Sequence, residues 1–351
     1  MNIHCHLSSL RFMMNRSHCY RVIQTEKKIC DIVMNFKDIT EIQTPSRRQI
    51  LIGLSALALP VRPAGADTPL LVGDQKGGAR SLFQASGVAY AGSASLRWSL
   101  FAGAPMLIQA LTANAVDVGA IGDAPLVFAQ GGGSPIKAIA GIQTDGTTTA
   151  VVVAKASSIQ SVSDLKGKRI ATLRSQTGHY LTLAALHAAG LKYDDVEFVF
   201  IPPAAAKLAL QTGAVDAWAT WGPYISSAKI VDGAREIVNG GKLMSGLSYV
   251  VATDNALRDK RENILTYLRS YRVAHQWMLK HPDSYATVWA EEVGLPLPVA
   301  RDVIKGMVGE VVPLTDAVIA KQQLVSDFMS ETRLVPRSLN AHAIIDSSFT
   351  F

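Results

Sequence analysis

Cysteine is nearly missing from this chain of 351 residues: Cys5, Cys19 and Cys30 are the only three, and none follows residue 30. That excludes a disulfide scaffold and a cysteine nucleophile from the rest of the chain. Long apolar runs are missing too. No stretch approaches 18 uninterrupted apolar residues, so the sequence predicts no membrane span. There is no Gly-x-Ser-x-Gly elbow and no phosphate loop ending in Gly-Lys-Ser/Thr. Metal spacing is also lacking. Of the five later histidines, only His179 and His187 share a helical segment, and they lie eight apart rather than four. No metal site and no cofactor are expected. An apolar content of 48% excludes a disordered chain and is enough for a sizeable core.

The formal net charge of +6 invites a nucleic-acid reading until its distribution is examined. Residues 1–66 hold nine Lys or Arg against four acids, which leaves 25 basic and 24 acidic residues from Asp67 onward. A net charge of +1 removes the bulk electrostatic case for nucleic acid. The first 66 residues read instead as a leader. Ser46-Arg47-Arg48-Gln49-Ile50-Leu51 has the twin-arginine pattern, the apolar stretch from Ile50 to Val61 follows, and Ala64-Gly65-Ala66 offers the small residues a signal peptidase reads. Cleavage is expected before Asp67, with export through a twin-arginine-type or general secretory route to the periplasm. A start at Met34 gives the signal an ordinary length.

Beyond the leader, short apolar runs alternate with amphipathic helical stretches, the pattern of an α/β protein. Strands are expected at Leu70–Gly73, Leu96–Ser99, Val116–Ile121, Lys137–Gly141 and Thr149–Ala154. A second block carries strands at Arg169–Leu173, Val196–Ile201 and Val215–Ala219, then Tyr249–Ala252 leads back out. From Arg258 the pattern is mostly helical. Leu111-Thr-Ala-Asn-Ala-Val-Asp117 and Leu210-Gln-Thr-Gly-Ala-Val-Asp216 align at an offset of 99 residues, so two related α/β lobes are expected.

In open α/β sheets, ligands sit beyond the carboxyl ends of strands, where helix N-termini point N–H groups into a crevice. Four strand ends fit that description: Asp74-Gln75-Lys76, Gly122-Asp123-Ala124, Ser175-Gln176-Thr177-Gly178-His179 and Trp221-Gly222. Facing helix ends can hold an anion without a buried arginine, each contributing about 0.3–1 kcal/mol. Each residue also has an ordinary reading. Ser175, Thr177 and Asp123 suit N-caps, Gln75 and Lys76 suit a solvated loop, His179 a partly exposed helix start, and Trp221 lobe packing.

Val72-Gly-Asp-Gln-Lys-Gly-Gly78, Leu111 to Pro125, Ser163-Asp-Leu-Lys-Gly-Lys168 and Asp216-Ala-Trp-Ala-Thr-Trp-Gly-Pro-Tyr224 resemble one family. It is the periplasmic substrate-binding proteins of ABC importers for aliphatic sulfonates, the group that includes taurine and nitrate binders. The similarity runs in order over nearly all of Leu70–Phe351. It implies an α/β, two-lobed periplasmic-binding-protein (type II) fold, with residues 67–154 plus 250–351 forming one lobe and 155–249 the other. Hinge crossings would fall near Ala154–Ala156 and Tyr249–Ala252, with the C-terminal helices packed on the first lobe.

Carried onto this sequence, the family's ligand contacts point to Gln75, Gly122, Asp123, Ser175, Gln176, Thr177, Gly178, His179 and Trp221. Lys76 joins them by position. The ligand's aliphatic part would lie against Trp221, with Trp98 or Tyr224 beside it. The implied protein is a monomer that captures a small organic anion and presents it to an inner-membrane ABC permease. In one place the chain departs from the pattern: Trp221-Gly222-Pro223 stands where sulfonate binders often have Trp-Asp-Pro. Nitrate, aromatic sulfonates, sulfate esters and thiamine precursors are the alternative ligands. The rival activity is an enzyme on the same scaffold, such as a desulfinase, whose known type needs a cysteine.

Overall fold

The computed structural model describes residues 68–351. The expected signal and its cleavage point lie outside the described residues. The chain builds two sheets flanked by helices. The first contains β1 (Leu70–Gln75), β2 (Leu96–Phe101), β3 (Val118–Gly122), β4 (Ile136–Gln143), β10 (Leu247–Thr253) and β11 (Glu310–Val312), in the order β11-β4-β10-β3-β1-β2. The second contains β5 (Thr149–Val153), β6 (Arg169–Thr172), β7 (Glu197–Phe200), β8 (Ala217–Trp221) and β9 (Arg235–Asn239), in the order β7-β6-β8-β5-β9.

Helices α1 (Ala79–Ser86), α2 (Ala104–Thr112) and α3 (Asp123–Gly131) cover the first sheet, and α4 (Thr177–Ala188), α5 (Pro203–Gln211) and α6 (Pro223–Ile230) the second. The C-terminal part is α7 (Asp254–Asp259), α8 (Arg261–Lys280), α9 (Pro282–Val293), α10 (Leu297–Met307) and α11 (Asp316–Glu331). No helix among the described residues is long and apolar enough to cross a membrane.

The two sheets repeat one plan. In each, three parallel strands (β2-β1-β3 and β7-β6-β8) are followed by an antiparallel strand that has come from the other side of a crossing (β10 and β5). The matching sequence segments do the same work. Asn114 and Gly213 both adopt the left-handed conformation, with φ of 54° and 72°, and end a helix before the strand begins. Asp117 Oδ2 then accepts from Leu71 N at 2.7 Å, and Asp216 Oδ2 from Arg169 N at 2.8 Å. Each aspartate fastens the start of its strand to the neighbouring parallel strand, which sets the register.

The crossings differ from expectation. Thr149–Val153 pairs with β8 and β9, so it belongs to the second sheet, and the first crossing is 144–148 rather than 154–156. The return crossing is 240–246, because β10 already pairs in the first sheet from Leu247. Both strands are buried apolar runs, which fit either sheet equally well, so composition could not assign them. The crossings touch: Thr144 N donates to Gly246 O at 2.8 Å. The sequence reading also missed β9 and β11.

The C-terminal part does not pack on the first sheet alone. Val325 and Met329 of α11 form one cluster with Ala124 and Val127 of α3 and with Tyr180 and Ala184 of α4. This explains why α4 is buried all round, from Gly178 to Leu186. One side meets the second sheet, and the other meets α3 and α11.

The aspartate pair yields a stability prediction. Asp117 is also 2.6 Å from Lys260 Nζ, in a pair whose side chains are only 14% and 13% exposed, whereas Asp216 and Arg169 are 32% and 44% exposed. Asp117→Ala should cost about 2–3 kcal/mol, because it leaves the Leu71 N–H without its acceptor and a mostly buried cation without its counter-charge, with only Pro69 O remaining to accept from Lys260 Nζ. Asp216→Ala should cost about 1 kcal/mol. Urea unfolding of the two variants checks the order.

Candidate functional site

A cleft of about 540 Å³ lies between the two sheets, beyond the carboxyl ends of β1, β3 and β8. The first-sheet side contributes Gln75, Lys76 and Gly122, and the second-sheet side Gln176, Thr177 and Trp221. These residues sit where strands end and helices begin. The helices that start there are α3 after Gly122, α4 after Gln176, α5 after Pro202 and α6 after Gly222, and none has a side-chain cap. At α4 the N–H groups of Thr177 and Gly178 are left without a capping side chain, whereas α5 and α6 begin with proline, which has no N–H, and at α3 the Ala124 N–H goes to Asp123 Oδ1.

Helix α1 is different. The carboxylate of Asp74 accepts from Ala79 N at 3.1 Å and from Arg80 N at 2.8 Å, so the protein's own acid occupies that helix end. Burial raises the Asp74 carboxyl above its ordinary range, and the N–H bonds oppose that shift. The cations that line the cleft are Lys76, which is exposed, and Lys207, whose Nζ is 3.0 Å from Asp232 Oδ2 and 3.3 Å from Ser227 Oγ.

The two sides are close together. A Cβ on Gly122 would lie 2.6 Å from Thr177 Cγ2 across the cleft. Farther along, Ser226 Oγ of α6 donates to Asp302 Oδ2 of α10 at 2.7 Å.

Four of the expected site residues do not line this cleft. Asp123 is fully buried as the first residue of α3. Its Oδ1 accepts from Ala124 N at 2.7 Å, and its Oδ2 accepts from Ser245 Oγ of the return crossing at 2.5 Å. Burial raises its carboxyl above the usual range. Ser175 turns the chain with a φ of 62° and faces a separate depression beside Pro105 and Ile108. Gly178 lets α4 lie against β8, since a Cβ there would be 2.7 Å from Ala219 O.

His179 points into the second body, edge-on to Phe198 and Phe200 with ring centroids 5.0 Å away. Burial, and then the nearby Arg174, hold its pKa down to about 4. Trp98 is also elsewhere: it packs against Phe83 and Tyr267, while Tyr224 does line the cleft.

The strand-end reading missed the apolar walls. Phe101 comes from the end of β2, Tyr271, Met278, Trp289 and Met307 come from the C-terminal helices, and Leu295 comes from the turn between α9 and α10. Phe101 follows the strand-end rule and could have been found. The others carry no such signal, because only tertiary packing brings α8 to α10 over the end of β1. Among the described residues, no group of three or more His, Cys, Asp or Glu is placed to hold a metal ion.

The profile of the NMT1/THI5-like family matches residues 102–285. An Escherichia coli (strain K12) protein named as an aliphatic sulfonates-binding protein is 31% identical over 246 residues, covering 70% of this chain and 77% of that one. Among solved structures, the alkanesulfonate-binding protein SsuA from Xanthomonas axonopodis pv. citri, bound to MOPS, superposes with a TM-score of 0.74. It is 26% identical over 80% of this chain and 99% of that chain. The periplasmic aliphatic sulphonate-binding protein SsuA from Escherichia coli superposes with a TM-score of 0.72, at 29% identity over 81% of this chain and 94% of that one.

Because Gly122 meets Thr177 across the cleft at a φ of −74°, which any residue can adopt, Gly122→Ala should act on closure alone. Ligand affinity should fall about tenfold or more as the added methyl props the two sides apart, while the melting temperature of the unliganded protein stays within about 2 °C. Calorimetry paired with thermal unfolding separates the two effects.

Proposed function

The chain belongs to the NMT1/THI5-like family, and on that premise we propose that it is the substrate-binding component of an ABC importer. It captures an aliphatic sulfonate or a related organic anion in the periplasm and releases it, chemically unchanged, to a membrane permease. The observation that carries this reading is one cleft lined from both sides by strand ends and helix starts, with the uncapped start of α4 and the polar side chains of Gln75, Gln176 and Thr177 at one place and apolar walls elsewhere.

A sulfonate has three oxygens that only accept hydrogen bonds. The free N–H groups at the start of α4, the Thr177 hydroxyl, the Gln176 amide and the second hydrogen of the Gln75 amide, whose first goes to Ala120 O at 3.3 Å, are donors placed for them. The carbon chain then lies against Trp221, Tyr224 and Phe101. Nitrate or another small inorganic ion would satisfy the donors and leave the apolar walls unfilled. A volume of about 540 Å³ falls instead in the range of pockets that enclose organic ligands.

Capture and closure are linked. In an open form each side offers half of the donors, so the ligand binds the closed form better and shifts the population toward it. The closed surface is what the permease would recognise, and a monomer suffices for that role. Lys76, exposed at the rim, draws the anion in without being buried against it.

Thermal-shift screening tests the reading. Butane-1-sulfonate at about 100 times its Kd should raise the melting temperature by roughly 5–10 °C. Sodium nitrate should leave it unchanged. A shift with nitrate and none with any sulfonate would contradict the assignment.

A further inference from the structure

The cleft continues past the helix ends. On the first-sheet side it extends among α8, α9 and α10, where Tyr271, Met278, Trp289 and Met307 wall it. The anion site described above uses none of these residues. Two polar atoms of cleft-lining side chains are buried there without a partner: His275 Nε2 and the Tyr285 hydroxyl. His275 is 5% exposed and Tyr285 0%. A native wall rarely leaves such groups unmet, since each costs roughly 1–3 kcal/mol. Trp289 in the same wall shows the usual arrangement, with its Nε1 donating to Gly77 O at 2.8 Å.

The chemistry of His275 is fixed by what it touches. Its Nδ1 lies 3.2 Å from Gly309 O, and a carbonyl can only accept, so Nδ1 carries the hydrogen. Burial holds the ring's pKa down to about 4, so the imidazole is neutral at ordinary pH. Nε2 therefore presents a lone pair, and what meets it must be a donor. The surrounding side chains are mostly aromatic, aliphatic or thioether groups, with the Asp74 carboxylate turned to the start of α1, and they favour a bulky apolar tail and adapt to its shape.

We propose that this inner end of the cleft is a tail chamber that selects sulfonates whose apolar tail ends in a hydrogen-bond donor, with His275 Nε2 as the acceptor. The inference rests on the sulfonate reading above and adds the class of tail to it. His275 is then a specificity-determining residue.

The test is calorimetric titration of the purified chain with octane-1-sulfonate and with 8-hydroxyoctane-1-sulfonate, with ethanesulfonate as a short reference. The hydroxylated ligand should bind about fivefold or more tightly than octane-1-sulfonate. In His275→Leu that preference should vanish while octane-1-sulfonate still binds, which also shows that the variant is folded. Equal affinity of the two octyl ligands in the wild-type chain overturns the proposal without any variant, and so does a preference that survives His275→Leu. If ethanesulfonate binds and neither octyl ligand does, the chamber fails while the sulfonate reading stands. If none of the three binds, the sulfonate reading fails and the chamber with it.

Discussion

A helix N-terminus without a cap is a standing demand for a hydrogen-bond acceptor, and the arrangement of this protein turns on where that demand is met. At α1 the demand is met internally, by the buried carboxylate of Asp74. At α4 no side chain caps the helix, and its first residues line the cleft, as do the starts of α5 and α6, whose leading prolines have no N–H to offer. At α3 the demand is again met internally, because buried Asp123, the first residue of the helix, accepts from Ala124 N with Oδ1 and from Ser245 Oγ with Oδ2. With a net charge of only +1 beyond residue 66, attraction for an anion has to be local, and these helix ends are where it is concentrated.

On the proposed function, the same helix ends belong to two bodies, one around each sheet, that move relative to one another. Two crossings join the bodies and lie in direct backbone contact, Thr144 N to Gly246 O, so they can bend together as one hinge. Ser245, next to that contact, is tied to buried Asp123, which anchors the hinge to the base of α3. Helix α11 adds a third element. Its Val325 and Met329 pack against α3 on one side and α4 on the other, so closure must slide or tilt these helices within a single apolar cluster. The Ser226–Asp302 hydrogen bond lies between α6 and α10 and is available when the two sides are together.

Much of this was legible before the structure, for identifiable reasons. The repeat around Asp117 and Asp216 was visible because a left-handed residue and a strand-fastening acid are both costly to replace, so both copies keep them. That Gln75, Gly122, Thr177 and Trp221 would line one cleft was readable because strand ends in open sheets obey a geometric rule. Periodicity misled where burial is complete on all sides. His179 begins a helix, which suggests exposure, but α4 is enclosed and the ring turns into Phe198 and Phe200. Thr149–Val153 was placed in the wrong sheet because a run buried on both faces carries no mark of its neighbours. The apolar walls from α8 to α10 were beyond reach, since no local pattern states which strand end a distant helix will cover.

The central claim is that one anion draws two bodies together from opposite sides. Small-angle X-ray scattering of the purified protein, with and without saturating butane-1-sulfonate, measures that directly. Closure on the ligand should give a smaller radius of gyration and a narrower pair-distance distribution when the ligand is present. Superimposable curves from a sample shown by calorimetry to be fully liganded would contradict it.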